Sequence, residues 1–396
     1  MKNTTLSFLC ISTFFIGIFC YALYQRYIIF IFPAWVSPLS ATTPKQPLQK
    51  KVLIFYPHIE TLKSEYKEML FADQQEKNIT TLINLWLSLL DEEHMLPKKI
   101  TLQTALLNAS GNELFISFDH APFCKQSAAY EKYLLIESLC KTLRENGVTT
   151  PFIRFLVHHQ PLKDYHVDFS SPWPLSGFSD ALKASNPSPL HKHSLTLMLD
   201  PAGDAQTTGR IIGEYFERTL TLEYAQELKK ILESQLPHVR VILTRVAGEM
   251  IEPLQNAAFA NKLRVDLYIS LHFFQEKNIL SRWYIYSFIN NPLADLAGRN
   301  NQTLQLIPYN QAHRTYCIHN IQYARCAHQL LEAHQLHNFY ILSAPQAFPF
   351  KPLIGVAAPT CAFEIGLKTP TDWKLFVQPA ADAIKHLINT KLRSPN

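Results

Sequence analysis

From residue 194 onward the chain alternates short, almost wholly apolar runs with stretches of helical periodicity, and that alternation leaves few folds open. The apolar runs are SLTLMLD (194–200), VRVILTR (239–245), DLYISLH (266–272), RWYIYSF (282–288) and TCAFEIG (360–366). A strand that is apolar on both faces is covered on both faces, which is the habit of parallel sheets. Between the runs the spacing predicts helices from about 219, where Leu222, Ala225, Leu228, Ile231 and Leu232 share one face, and over 253–263, 320–336 and 373–392. The fold class expected is α/β, a largely parallel sheet with helices on both faces. Ligands of such sheets gather at the carboxyl ends of the strands.

Upstream lies a smaller α+β pattern over 51–170: strands at 51–57, 112–119 and 151–159, with helices at 77–90 and 127–146. A proline-rich stretch, 171–194, interrupts helix and central strand alike and reads as a linker. Residues 1–36 are expected to anchor the chain, because Leu6 to Tyr24 is uncharged, largely apolar and long enough to cross a bilayer as a helix. The domains expected are therefore an anchor at 1–36, an α+β module at 51–170, and the α/β domain at 195–396. Net charge is +5 from 37 basic and 32 acidic residues, too mild and too evenly spread for a nucleic-acid partner. Seven cysteines without a CxxC pair suit small buried hydrophobes better than a disulfide framework, with a bridge such as Cys124–Cys140 left open.

Polar residues cluster where the strands of the second domain end. Asp200 and Asp204 follow its first strand, Glu217 precedes its first helix, His272 closes the run 266–272, and Glu364 sits inside an apolar run. Buried ionisable groups need partners, and several on one rim suit a shared cation. Taken singly, Glu217 is also readable as a charge at a helix N-terminus, and Glu364 as the partner of an arginine such as Arg245.

Six words in order, "LDPAGDA" (199–205), "ERTLTLEYA" (217–225), "VILTR" (241–245), "NAAFANK" (256–262), "DLYISLHFF" (266–274) and "PTCAFEIGL" (359–367), resemble those of the zinc-dependent N-acetylmuramoyl-L-alanine amidases. The order of strands and helices in 51–170, with the words "LPKKITL", "FISFD" and "KTLRENGV", resembles the GerMN domain, an accessory module of the cell envelope. The first resemblance implies hydrolysis of the bond between N-acetylmuramic acid and L-alanine, with peptidoglycan as partner. It further implies Glu217 and His272 as metal ligands and Glu364 as the catalytic glutamate.

The histidine of the family's "DPGHGG" is missing. An ungapped match places Gly203 there, and one inserted residue places Asp204 there, giving an expected ligand set of Asp204, Glu217 and His272. Zinc is the metal the resemblance implies; two carboxylates would neutralise it and weaken its pull on water, so slower chemistry, a higher pH optimum or a preference for a harder metal such as manganese is expected. His191 and His193 precede the first strand and so fall at its wrong end. The competing expectation is a metal-free relative that binds peptidoglycan or regulates other wall enzymes. The location expected is the bacterial inner membrane, single-pass, with the soluble part in the periplasm or cell envelope.

Overall fold

The computed structural model describes residues 48–178, 195–252, 254–292, 307–333, 339–341 and 344–393, together with Ile16 and Asp295. The expected membrane segment, Leu6 to Tyr24, and His191, His193, His334 and His337 lie outside the described residues, apart from Ile16. Among the described residues no helix is long and apolar enough to cross a membrane.

Residues Gln49–Asn396 form one compact unit. Its first part opens with a two-stranded antiparallel ribbon, β1 (Leu48–His58) and β2 (Thr61–Phe71). Then come α1 (Gln75–Glu92), β3 (Leu102–Leu107), β4 (Glu113–Phe118), α2 (Ala129–Glu145) and β5 (Phe152–Val157). Two short strands, β6 (Gln160–Pro161) and β7 (Trp173–Pro174), pair antiparallel with β5. Helix α1 forms where its apolar residues recur at helical spacing, burying Ile79, Leu82, Ile83, Trp86 and Leu90. Sequence periodicity placed its ends within two residues, whereas β2 and β3 were not anticipated. Both are largely exposed edge strands, so they lack the apolar run that marks a buried one.

The second part is the expected α/β layer structure. Strand β8 (Leu195–Pro201) sits between β11 (Val239–Leu243) and β12 (Leu267–Gln275), all parallel, and β12 continues in parallel to β16 (Thr360–Leu367). Strand β13 (Ser281–Phe288) runs antiparallel to β16, and the short β14 (Phe339–Ile341) and β15 (Gln346–Phe348) pair with β13. Helices α3 (Glu217–Gln235), α4 (Gln255–Leu263), α5 (Cys317–Ala333) and α6 (Val377–Arg393) cover the sheet. A small hairpin, β9 (Ile211–Ile212) with β10 (Tyr215–Phe216), precedes α3.

The stretch read as a linker is partly structural. Trp173 and Phe178 are fully buried, and Trp173 stacks on Phe169 at 5.3 Å between ring centroids. The two parts also share a hydrophobic core: Tyr133 of α2 stacks on Phe348 at 5.0 Å and Tyr130 meets Tyr284 at 5.4 Å. Each aromatic pair adds about 0.5–1.5 kcal/mol beyond its buried area. All five described cysteines are free.

Candidate metal centre and a masked glutamate

Three side chains meet just past the carboxyl end of β8, where His272 stands on β12. His166, Glu217 and His272 each offer a ligand atom within 4.8 Å of the others, and all three are buried. Glu217 is the first residue of α3. Its Oε2 accepts the backbone N–H of Arg210 at 2.9 Å and its Oε1 that of Phe273 at 3.0 Å. Gly209 makes this approach possible: its φ is +74°, and a Cβ there would stand 2.8 Å from the Glu217 side chain.

Burial alone would raise the Glu217 pKa, but the Arg210 guanidinium and the Arg210 backbone N–H outweigh it and hold the carboxyl at about 2. His166 is pushed well below the usual histidine value, first by burial and then by Arg210, Lys132, His272 and Lys351, so its ring is uncharged. His272 Nδ1 lies 3.5 Å from Glu217 Oε1 and makes no hydrogen bond, and His166 Nδ1 likewise has no partner. His166 Nε2 is 4.0 Å from Glu217 Oε2. Zinc bonds of 2.0–2.2 Å at tetrahedral angles separate ligand atoms by roughly 3.3–3.6 Å. The uncharged His166 ring, the His272 ring with its Nδ1 unpartnered and the ionised Glu217 carboxylate are donors of the kind zinc accepts.

His166 is the residue that sequence reasoning missed. It comes from the first part of the chain, and backbone pairing seats it. Val167 bridges Phe350, Asp168 N donates to Pro349 O at 2.7 Å, and Lys351 N donates to His166 O at 2.7 Å. Asp164 Oδ1 accepts the N–H groups of His166 and Val167, while its Oδ2 holds the buried Lys132 Nζ of α2 at 2.7 Å. No local pattern in "KDYHVDF" announces a ligand, because the partner strands are some 50 to 190 residues away in sequence.

Asp204, the expected third ligand, is not in the group. Its Oδ1 accepts from Gln206 N at 2.7 Å and Thr207 N at 2.6 Å, closing its own turn. Gly203, the ungapped alternative, has φ +79°, and a Cβ there would run into Arg218 at 2.7 Å and the Thr207 carbonyl at 2.8 Å. This turn has no room for the missing histidine. A cavity of about 240 Å³ lined by Tyr165, His166, Asp204, Glu217, His272 and Lys351 connects the group to the surface.

Glu364 lies on β16 directly opposite His272 in the register and is fully buried. Its carboxylate is saturated. Arg210 Nη2 donates to Oε1 at 2.5 Å, the Tyr286 hydroxyl donates to Oε2, and the backbone N–H of Ala129 reaches Oε1 and Oε2 at 3.1 and 2.9 Å. Ala129 is the first residue of α2, so the positive end of that helix rests on the carboxylate. Arg210 also reaches Glu217 Oε1 at 3.4 Å and the carbonyls of Phe273 and Ser127. The arginine suggested by sequence, Arg245, instead binds the carbonyls of Pro201, Ala202 and Arg218.

Comparison with known proteins gives a family match for the second part of the chain. Residues 197–388 match the family model described as N-acetylmuramoyl-L-alanine amidase. No curated protein matches the chain. Among solved structures, the catalytic domain of CwlV from Bacillus (Paenibacillus) polymyxa var. colistinus is 18% identical, with 50% of this chain and 98% of that chain covered and a TM-score of 0.35. AmiC2 of Nostoc punctiforme is 16% identical, covering 50% and 98% with a TM-score of 0.37. The amidase from Clostridium difficile 630 is 17% identical, covering 52% and 100% with a TM-score of 0.37. Residues 197–388 are thus a domain of the N-acetylmuramoyl-L-alanine amidase family.

Proposed function

We propose that this chain is a metal-dependent hydrolase of the amide between N-acetylmuramic acid and L-alanine in peptidoglycan, with His166, Glu217 and His272 as the metal ligands and Glu364 as the general base. The observation that carries this reading is the meeting of two histidines with unpartnered nitrogens and one ionised carboxylate inside a domain of the amidase family. A bound zinc ion would polarise the amide carbonyl and lower the pKa of water. His166 takes the place of the histidine that the "LDPAGDA" turn lacks.

The residues of the chain then divide the work. Glu217 and the two imidazoles hold the ion at the sheet rim, and the cavity beside them admits the substrate. Glu364 takes a proton from water and returns it to the leaving amine. In the arrangement described, its lone pairs are all engaged, so one donor must withdraw before it acts. The Ala129 N–H belongs to the first part of the chain, and its retreat leaves the amidase domain's own contacts to Glu364 intact. The structure is therefore read as a closed resting form. Attachment to the inner membrane through residues 6–24, with the soluble part in the cell envelope, belongs to the same reading, and retention in the membrane pellet after alkaline washing tests it.

The test of function is direct. Full-length protein purified with zinc is expected to hold one ion per chain and to release sugar-free peptide from peptidoglycan. His166→Ala should lose the ion, and Glu364→Gln should keep the ion and lose the product. Metal-free protein under every loading condition, or product release undiminished in Glu364→Gln, defeats the proposal.

A further inference from the structure

Ser270 and His272 are two apart on β12 and so project from the same face. Asp200 stands opposite Ser270 in the parallel register with β8. The three side chains form a chain of short contacts: Ser270 Oγ donates to Asp200 Oδ2 at 2.9 Å, and Ser270 Oγ lies 2.9 Å from His272 Nε2. The other oxygen, Asp200 Oδ1, accepts from Thr244 Oγ1 at 2.8 Å and from Asn256 Nδ2 at 2.7 Å.

Proton counting fixes the direction of this chain. A serine hydroxyl has one proton, and here it goes to a carboxylate, which when ionised only accepts. Ser270 Oγ must then accept from His272, so an uncharged ring carries its one proton on Nε2. Nδ1 is left bare, buried and without a hydrogen bond, 3.5 Å from a carboxylate oxygen. Two lone-pair-bearing atoms face each other across that gap, an arrangement a cation relieves and water-free protein does not. We propose that Asp200, acting through Ser270, is a positioning residue that sets the tautomer of His272 and thereby the metal affinity of the site. The inference rests on the reading of His166, Glu217 and His272 as ligands, in that outer partners of ligating histidines commonly control affinity by about 10–100-fold.

Asp200→Asn is the discriminating variant, because Asn256 and Thr244 continue to donate toward the Oδ1 side and hold the new amide oxygen there. The amide nitrogen is then presented to Ser270, the serine proton turns to His272 Nε2, and the ring proton moves to Nδ1. Ser270→Ala breaks the chain without reversing it. In full-length, metal-free protein carrying 15N-labelled histidine, with the His272 signal assigned by its loss in His272→Asn, wild type is expected to show a pyridine-type Nδ1. Asp200→Asn should show a pyrrole-type Nδ1. Zinc affinity, measured by competition with a chromophoric chelator, should fall about 10–100-fold in Asp200→Asn and in Ser270→Ala, and thermal melts of the metal-free proteins establish that each variant is folded. A pyrrole-type Nδ1 in wild type overturns the proposal, as does a tautomer and affinity unchanged in Asp200→Asn. Wild type with the expected tautomer but no zinc binding would defeat the metal reading and leave the tautomer control standing.

Discussion

Arg210 is buried between two carboxylates, and deleting it would strand both. Burial opposes its charge, but Glu364 and Glu217 more than compensate and keep the guanidinium protonated. Removing one partner of a buried ionic group typically costs about 3–5 kcal/mol, so Arg210→Ala is expected to lower the unfolding free energy by about that amount in urea titrations. Glu217 makes a second prediction. Its carboxyl titrates at about 2 against an ordinary value of 4.5, so the stability it supplies is complete above pH 4.5 and disappears as pH falls toward 2. The shift corresponds to about 3 kcal/mol. Glu217→Gln should flatten the stability curve of the metal-free protein in that window, and an unchanged acid limb would contradict the assignment.

Under the proposed function, helix α2 is the element that controls whether Glu364 is available. Ala129 is its first residue, and Ala128 before it has φ −54° and ψ 147°, the extended conformation that proline demands of its predecessor. Ala129→Pro is therefore tolerated by the helix itself, while it deletes the N–H to Glu364 and its ring pushes the start of α2 away from the carboxylate. The expectation is faster release of peptide from peptidoglycan with the helix content unchanged by circular dichroism. The same helix buries Glu137, whose Oε2 has no partner and whose carboxyl burial raises to about 7, with Arg144 and Lys141 offsetting only part. Raised acids cost stability as pH climbs from 4.5 through 7, so Glu137→Gln should stabilise the protein by about 1–3 kcal/mol at pH 8 and by nothing at pH 4.

The helices and sheet strands of the α/β domain were legible because each buried element carries its own period: Leu228 and Leu232 on α3, the largely apolar run of β12. Glu217, His272 and Glu364 stand out in the sequence as ionisable residues within or beside apolar strands or at a helix start. His166 and Arg210 were not, since each gains meaning only from a fold-level meeting. The histidine is placed by a bridge to Phe350, and the arginine by carboxylates on α3 and β16. Asp204 misled for a complementary reason. A short-range turn hydrogen bond claims its carboxylate, and sequence spacing does not distinguish that use from ligation.

Among the described residues, one of two hydrophobic cores runs from Ile54 and Trp86 through Tyr133 to Phe348 and Phe350. A boundary that carries so much apolar packing does not behave as a hinge between independent domains. Calorimetry of the metal-free chain should accordingly show a single endotherm with matching calorimetric and van't Hoff enthalpies. Two separated endotherms would show that the modules melt independently.

His166 reaches the site from a stretch that precedes Glu217 by about fifty residues. An ion held by both would act as a staple closing that long loop, so zinc availability would set how firmly the front of the chain is clasped to the back. Saturating zinc at about a hundred times its dissociation constant adds about 2.7 kcal/mol. A cell short of zinc would thus hold a looser molecule, easier prey for proteases, and the quantity of protein would track the supply of its ion.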